Sequence, residues 1–138
     1  MAKEGTVEWA SQMLRLGATG VEQWNEWRQR HTGFLDLSGI DLSRAQLCGV
    51  NLRGVKLWDA QLAGADLSRA QLAGAYLNRS NLSEAQLNEC NLAATNLRDA
   101  ELRAATVTAA SLRYALNLTQ AQLSATLGEP QDVPETLL

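Results

Sequence analysis

Ala65-Asp66-Leu67-Ser68-Arg69, Ala70-Gln71-Leu72-Ala73-Gly74, Ala75-Tyr76-Leu77-Asn78-Arg79: three copies of one five-residue phrase, which runs without insertion from Leu35 to Ala115. A leucine stands at position 37 and at every fifth position to Leu112, with Val107 the one variant. Two residues before each comes a small or aliphatic one: Leu35, Ile40, Ala45, Val50, Val55, then mostly Ala, with Ser80, Cys90 and Thr95 as variants. Asp36, Asp41, Asn51, Asp66, Asn81, Asn91 and Asn96 stand directly before the leucine, and Gly39, Gly49, Gly54, Gly64 and Gly74 two after it.

A period of five fits neither regular element. On a helix each leucine would advance by about 140°, scattering the row around the axis. On a flat strand successive leucines would fall on opposite faces. The pattern buries its leucines only if the chain turns a corner once per pentad, so that each leucine and the small residue two before it point at one axis. The other three positions face outward or make the corner, where Asx and Gly tolerate tight turns.

Repeats such as Ala65-Asp66-Leu67-Ser68-Arg69, Ser80-Asn81-Leu82-Ser83-Glu84 and Thr95-Asn96-Leu97-Arg98-Asp99 resemble the A-(D/N)-L-x-x motif of pentapeptide-repeat proteins. The resemblance covers sixteen pentads. It implies an all-β solenoid, a right-handed quadrilateral β-helix with four pentads per coil and about four coils. The segment Val21 to Arg28, followed by Asp36-Leu37-Ser38-Gly39, is similar to the lead-in of some bacterial members.

Three segments follow: a helical N-terminal cap over 1–34, the repeat over 35–115, and a C-terminal cap and tail over 116–138. Thr6 fits the cap of a first helix carrying Trp9, Met13, Leu14 and Leu16 and stopped by Gly17. Thr19-Gly20-Val21-Glu22 fits a capping box for a second, with Trp24 and Trp27 at helical spacing. The end of a β-helix exposes unpaired backbone that invites aggregation unless covered; Trp9, Trp24 and Trp27 are the expected lid. Beyond Leu112 the period slips. Thr119-Gln120-Ala121-Gln122 fits a capping box for a short helix with Leu123 and Leu127 on one side, closed by Gly128. Residues 129–138, with Pro130 and Pro134, read as extended.

Net charge is −3, and its placement matters. The repeat balances eight acids with eight bases, residues 1–34 balance four with four, and the excess lies in the tail at Glu129, Asp132 and Glu135. The opening lacks the basic-then-apolar pattern of a signal peptide, and no apolar run is long enough to cross a bilayer, so a cytoplasmic protein without membrane contact is expected. Two cysteines make no disulfide framework. Cys90 falls at an inward position and Cys48 outward. The lone His31 has no identifiable metal-ligating or catalytic partners. No phosphate-binding glycine pattern lies between a strand and a helix. No enzyme and no cofactor is expected.

What remains is surface. With twenty residues per coil, positions twenty apart stack about 4.8 Å per step. One face carries the columns Ser38, Trp58, Asn78, Arg98; Gly39, Asp59, Arg79, Asp99; and Asp36, Lys56, Tyr76, Asn96. Asp59, Arg79 and Asp99 alternate in sign, and Trp58 and Tyr76 stand beside them as exposed aromatics, a combination typical of interaction hot spots. Trp58, Asp59, Tyr76, Arg79, Arg98 and Asp99 are therefore the candidate interaction face. The expected function is a non-catalytic structural or protein-interaction module with a protein partner. The alternative is modulation or protection of DNA gyrase by DNA mimicry, which the resemblance implies for some members. DNA carries about one negative charge per 1.7 Å, which a charge-balanced rod imitates poorly. Direct nucleic-acid binding is not expected, because no face gathers bases without acids beside them. A monomer is expected; Leu116, Leu118, Leu123 and Leu127 would form the seam of a homodimer.

Overall fold

In the computed structural model, which describes residues 2–138, two helices lead into a coil of single-residue rungs closed by a short third helix. Residue 1 of the expected N-terminal cap lies outside the described residues. Each coil takes twenty residues: parallel bridges join Asp36 to Lys56, Tyr76, Asn96 and Leu116 in turn, and Gln46 to Asp66, Gln86 and Thr106. A four-residue turn closes each side, as where the Ile40 N–H donates to Leu37 O at 3.1 Å and that of Ala45 to Leu42 O at 3.1 Å. With a corner every five residues, one residue per side is left to pair. The β structure is accordingly a ladder of isolated bridges, with no longer strand among the described residues.

The third residue of every turn sits in left-handed space, as a type II turn requires. Gly39 through Gly74 supply five such corners at φ +66° to +76°, while Arg44, Asp59, Arg69 and Arg79 hold φ near +60° without glycine's freedom. From Glu84 to Tyr114 every corner is non-glycine, each costing of the order of 1 kcal/mol. Local hydrogen bonds offset part of that cost. The Asx residue before the leucine accepts from the N–H two residues on: Ser38 to Asp36 Oδ1 at 2.9 Å, Ser68 to Asp66 Oδ1 at 3.0 Å, Ser83 to Asn81 Oδ1 at 3.0 Å. This is the Asx-turn that the recurring Asp and Asn predict.

The leucines from Leu37 to Leu87 are fully buried, with the small residues stacked between them. The polar variants are satisfied: Ser80 Oγ donates to Leu77 O at 2.7 Å and Thr95 Oγ1 to Leu72 O at 3.0 Å. Burial in this apolar column pushes the Cys90 thiol up to about 12.

α1 (Val7–Leu14) starts where expected, with the Trp9 N–H donating to Thr6 Oγ1 at 3.2 Å. It stops at Leu14, so Leu16 lies beyond it, exposed. α2 (Ala18–Arg30) corrects the expected second capping box: its N-cap is Gly17, no side chain caps it, and Thr19 lies inside the first turn. Gly20 is there for closeness, since a Cβ on it would strike the Met13 carbonyl of α1. α3 (Gln120–Ser124) does open with the reciprocal Thr119–Gln122 capping box. It is shorter than expected: Leu127 lies outside it and forms a rung against Thr106, exposed rather than packed beside Leu123. The tail follows the coil through a further rung, Gln131 against Ser111.

Candidate functional site

Trp58 sits in the second coil, directly above Ser38 and below Asn78. Two cations cover it. Lys56 Nζ lies 4.1 Å from a ring centroid of the indole and Arg79 Cζ 5.4 Å. Each cation is in turn held by a carboxylate, Lys56 by Asp36 at 3.6 Å and Arg79 by Asp59. The second pair is bidentate, with Arg79 Nε donating to Asp59 Oδ1 at 2.9 Å and Nη2 to Oδ2 at 3.1 Å. These bonds hold the Asp59 carboxyl below the usual carboxylate range and raise the Arg79 guanidinium. Asp99 adds only a weak Coulombic pull on Arg79, so the column of alternating sign holds one ion pair, Arg79 with Asp59.

Trp58 is thus half-buried, not the exposed aromatic expected of it, because long side chains from its own coil and the next fold over the ring. Its Nε1, Ser38 Oγ and Asn78 Oδ1 stack in one column, buried, with no hydrogen-bond partner in the protein. Tyr76 is 42% exposed, and a residue that the repeat pattern did not single out, Phe34, is 72% exposed. Phe34, Lys56, Trp58 and Tyr76 together line a shallow cleft of about 240 Å³.

Arg98 and Asp99 do not join this cleft. They line a separate groove of about 480 Å³ with Glu101, Asn117, Thr119, Gln122 and Leu138, against the C-terminal cap. The structure therefore divides the candidate face into an aromatic cleft low on the coil and a polar groove near its upper end.

The three N-terminal tryptophans come together, with centroids 4.8 to 5.7 Å apart. Trp24 is fully buried and its Nε1 donates to Asn51 O at 2.7 Å. Trp27 stacks on His31, centroids 4.4 Å apart. Of the C-terminal leucines, Leu118 is buried and Leu123 partly so, whereas Leu116 and Leu127 are more than half exposed. Cys48 is exposed, with Arg69 Nη2 at 2.9 Å from its sulfur. Among the described residues no three His, Cys, Asp or Glu side chains are grouped to hold a metal ion, and no helix is long and apolar enough to cross a membrane.

The family model for pentapeptide repeats matches residues 35–69 and 65–103, in eight copies. No curated protein sequence matches the chain. Among solved structures, a trypsin-treated variant of QnrB1, a plasmid-mediated fluoroquinolone resistance protein, superposes with a TM-score of 0.62 at 22% identity. That match covers 67% of this chain and 44% of QnrB1, so the chain spans less than half the length of that protein. HetL, a pentapeptide repeat protein involved in heterocyst differentiation regulation in the cyanobacterium Nostoc sp. strain PCC 7120, is 29% identical over 72% of this chain and 52% of its own, with a TM-score of 0.41. Rfr23 from the cyanobacterium Cyanothece 51142 is 23% identical over 84% of this chain and 98% of its own, with a TM-score of 0.40.

Proposed function

The chain belongs to the pentapeptide-repeat family, whose members fold as right-handed quadrilateral β-helices, and from that premise we propose that it is a non-catalytic interaction module whose partner is a protein. The rigid coil is the scaffold, residues 1–34 and 116–138 are its caps, and the binding centre is the cleft around Trp58. One observation carries this reading: Phe34 and Tyr76 stand exposed in one cleft with a Trp58 already covered by Lys56 and Arg79. Aromatic side chains bury much area while losing little rotamer freedom, and fixed aromatics beside charges are the usual anchors of protein interfaces. Asp59 and Arg79 would sit at the rim, while Arg98 and Asp99 belong to the separate groove near the upper end of the coil.

Capture from a lysate of the source cells tests it, using wild type and Phe34→Ala/Tyr76→Ala, both with unchanged circular dichroism. A protein held by wild type and lost by the double variant supports the cleft. Equal retention by both, or capture by neither, overturns it. The gyrase reading draws support from the shape shared with QnrB1, and the charge balance of the repeat weighs against it. A supercoiling assay with gyrase and a fluoroquinolone separates the two: protection that survives Phe34→Ala/Tyr76→Ala would displace the cleft proposal in favour of mimicry.

A further inference from the structure

Arg28 lies in the last turn of α2, where a basic side chain complements the helix dipole. Its neighbours Gln29 and Arg30 are exposed, but Arg28 itself is only 6% exposed. Its guanidinium is turned inward onto backbone. It donates to His31 O, to Gly33 O at 3.0 Å and to Arg53 O at 3.3 Å. Its Nε–H and the second N–H of Nη2 have no acceptor among the described residues. No carboxylate among those residues forms an ion pair with it. Buried charges are ordinarily paired, and desolvation without a counterion holds this guanidinium below its usual pKa. Beside Arg28 opens a cavity of about 240 Å³, lined by Arg28, Gln29, Thr32, Asn51 and Arg53. All five side chains carry hydrogen-bond donors and none is an acid. Asn51 Oδ1 accepts from the Arg53 N–H at 3.2 Å, which leaves its Nδ2 as a donor.

We propose that this cavity binds a single phosphate group, with Arg28 and Arg53 as its two cations. This goes beyond the aromatic cleft, with which it shares no residue. Guanidinium forks match phosphate oxygens in geometry and form charge-assisted hydrogen bonds with them. Arg28 is already fixed by three backbone carbonyls, so little rotamer freedom is lost when it takes a ligand. The donors arrive from two directions. Arg28, Gln29 and Thr32 come from the end of α2 and the linker after it, and Asn51 and Arg53 from the first coil. That arrangement suits a tetrahedral anion with acceptor oxygens on several sides better than a planar carboxylate with two. The site is a pocket and not a stripe: the column above Arg53 runs through Ala73 and Ala93 before it reaches Arg113. It therefore takes one phosphate group, either the free anion or a phosphate monoester, and offers no row of cations to a nucleic-acid backbone.

The test titrates the full chain with inorganic phosphate at fixed ionic strength and about pH 7.5, where the dianion predominates. NMR follows the Nε–H resonances of the arginines and the Nδ2 resonances of Asn51. Those of Arg28, Arg53 and Asn51 should shift together and saturate, while those of Arg98 and Arg113 stay in place. Sodium acetate should move none of them. Arg53→Ala removes an exposed side chain and keeps its backbone bonds, so the fold should hold by circular dichroism while affinity falls about 10- to 100-fold. Asn51→Asp is the sharper variant. Asp36 and Asp66 hold the same pentad position with the same Asx-turn, so the coil is kept, but a carboxylate then stands where the anion would bind. Phosphate should no longer bind to it. O-phosphoserine, titrated in the same way, separates the two sources: tighter binding than inorganic phosphate assigns a monoester, and weaker binding the free anion. A wild type without saturable shifts overturns the proposal, leaving Arg28 as no more than a tie for the carbonyls after α2. Equal shifts with acetate, undiminished affinity in Asn51→Asp or Arg53→Ala, or shifts at Arg98 and Arg113 that track those at Arg53 would overturn it as well.

Discussion

The two ends of the coil meet the same physical demand by different means. In every interior coil, the carbonyls equivalent to Asp41, Ser43, Asn51 and Arg53 accept from the coil below. In the first coil there is none below, and side chains of α2 and of Arg15, the C-cap of α1, take its place. Arg15 donates to Asp41 O at 2.9 Å and to Ser43 O at 3.4 Å, the Trp24 indole to Asn51 O, and Arg28 to Arg53 O at 3.3 Å. Asn25 Oδ1 accepts from the Asn51 N–H at 2.8 Å. At the upper end, backbone mostly replaces backbone, through Leu116, Ala125, Leu127, Glu129 and Gln131; where α3 interrupts the ladder, Gln122 Nε2 reaches Leu97 O at 2.7 Å and Ala100 O at 3.0 Å. A buried aromatic plug closes one end and a half-exposed wrap closes the other. Backbone hydrogen bonds are largely replaced at both, but apolar burial, the larger stabilising term, is concentrated at the first.

Trp24→Ala should show the largest effect, about 3–5 kcal/mol in urea unfolding, from the emptied space and the lost bond to Asn51 O. Leu123→Ala, only partly buried at the other end, should cost well under half as much; equal losses would end the asymmetry argument. Gln122→Ala removes both bonds to the coil and the return half of the α3 capping box, so a loss of about 1–3 kcal/mol is expected. Cys90 then reports which end opens. Its thiol is held near 12 by burial, so it reacts with a thiol reagent only on opening. Gln122→Ala should speed Cys90 labelling more, per unit of stability lost, than Trp24→Ala does. The reverse order would mean that the coil opens from its N-terminal end.

The smallest effect should come from acid. Asp36 and Asp41 are held below the ordinary carboxylate range, chiefly by hydrogen bonds from Ser38 and Ser43, with Lys56 and Arg15 adding Coulombic support. Because their folded values are depressed, the unfolded chain takes up protons first as pH falls. Their contribution is full above about pH 4, the ordinary Asp value, and is lost as the pH drops through the folded values. Amides of α1 and α2 should then lose exchange protection before those of α3, since Asp41 also holds Arg15; simultaneous loss at both ends would break the distinction.

What the sequence made legible was whatever repeats. Sixteen copies of one pentad fix which side chains face inward and which residue turns each corner, and the Asx-turns and stacked columns follow from that register. Capping residues were legible where a side chain does the work, at Thr6 and at Thr119 with Gln122. They misled at Thr19, because the tight approach of α1 to α2 at Gly20 is tertiary and leaves no local signal. The candidate site was half legible. The columns bring Lys56, Trp58, Tyr76 and Arg79 together, but whether a lysine bends over a ring is a rotamer choice no spacing encodes. Phe34 stands just before the repeat, where no register assigns it a column; its one available signal was being the chain's only phenylalanine, directly beside the first coil.

Single-residue rungs carry a further consequence, for how the length of such a chain can change. One extra residue in the repeat turns every later leucine off the axis and leaves every later rung without its partner. Five extra residues keep the leucines inward but carry everything downstream a quarter turn around the rod, re-aiming α3 and the tail relative to Trp58. Only a block of twenty leaves every column where it was, adding one coil of about 4.8 Å. Length in this molecule comes in quanta, and the smallest one that preserves the surface is a whole coil.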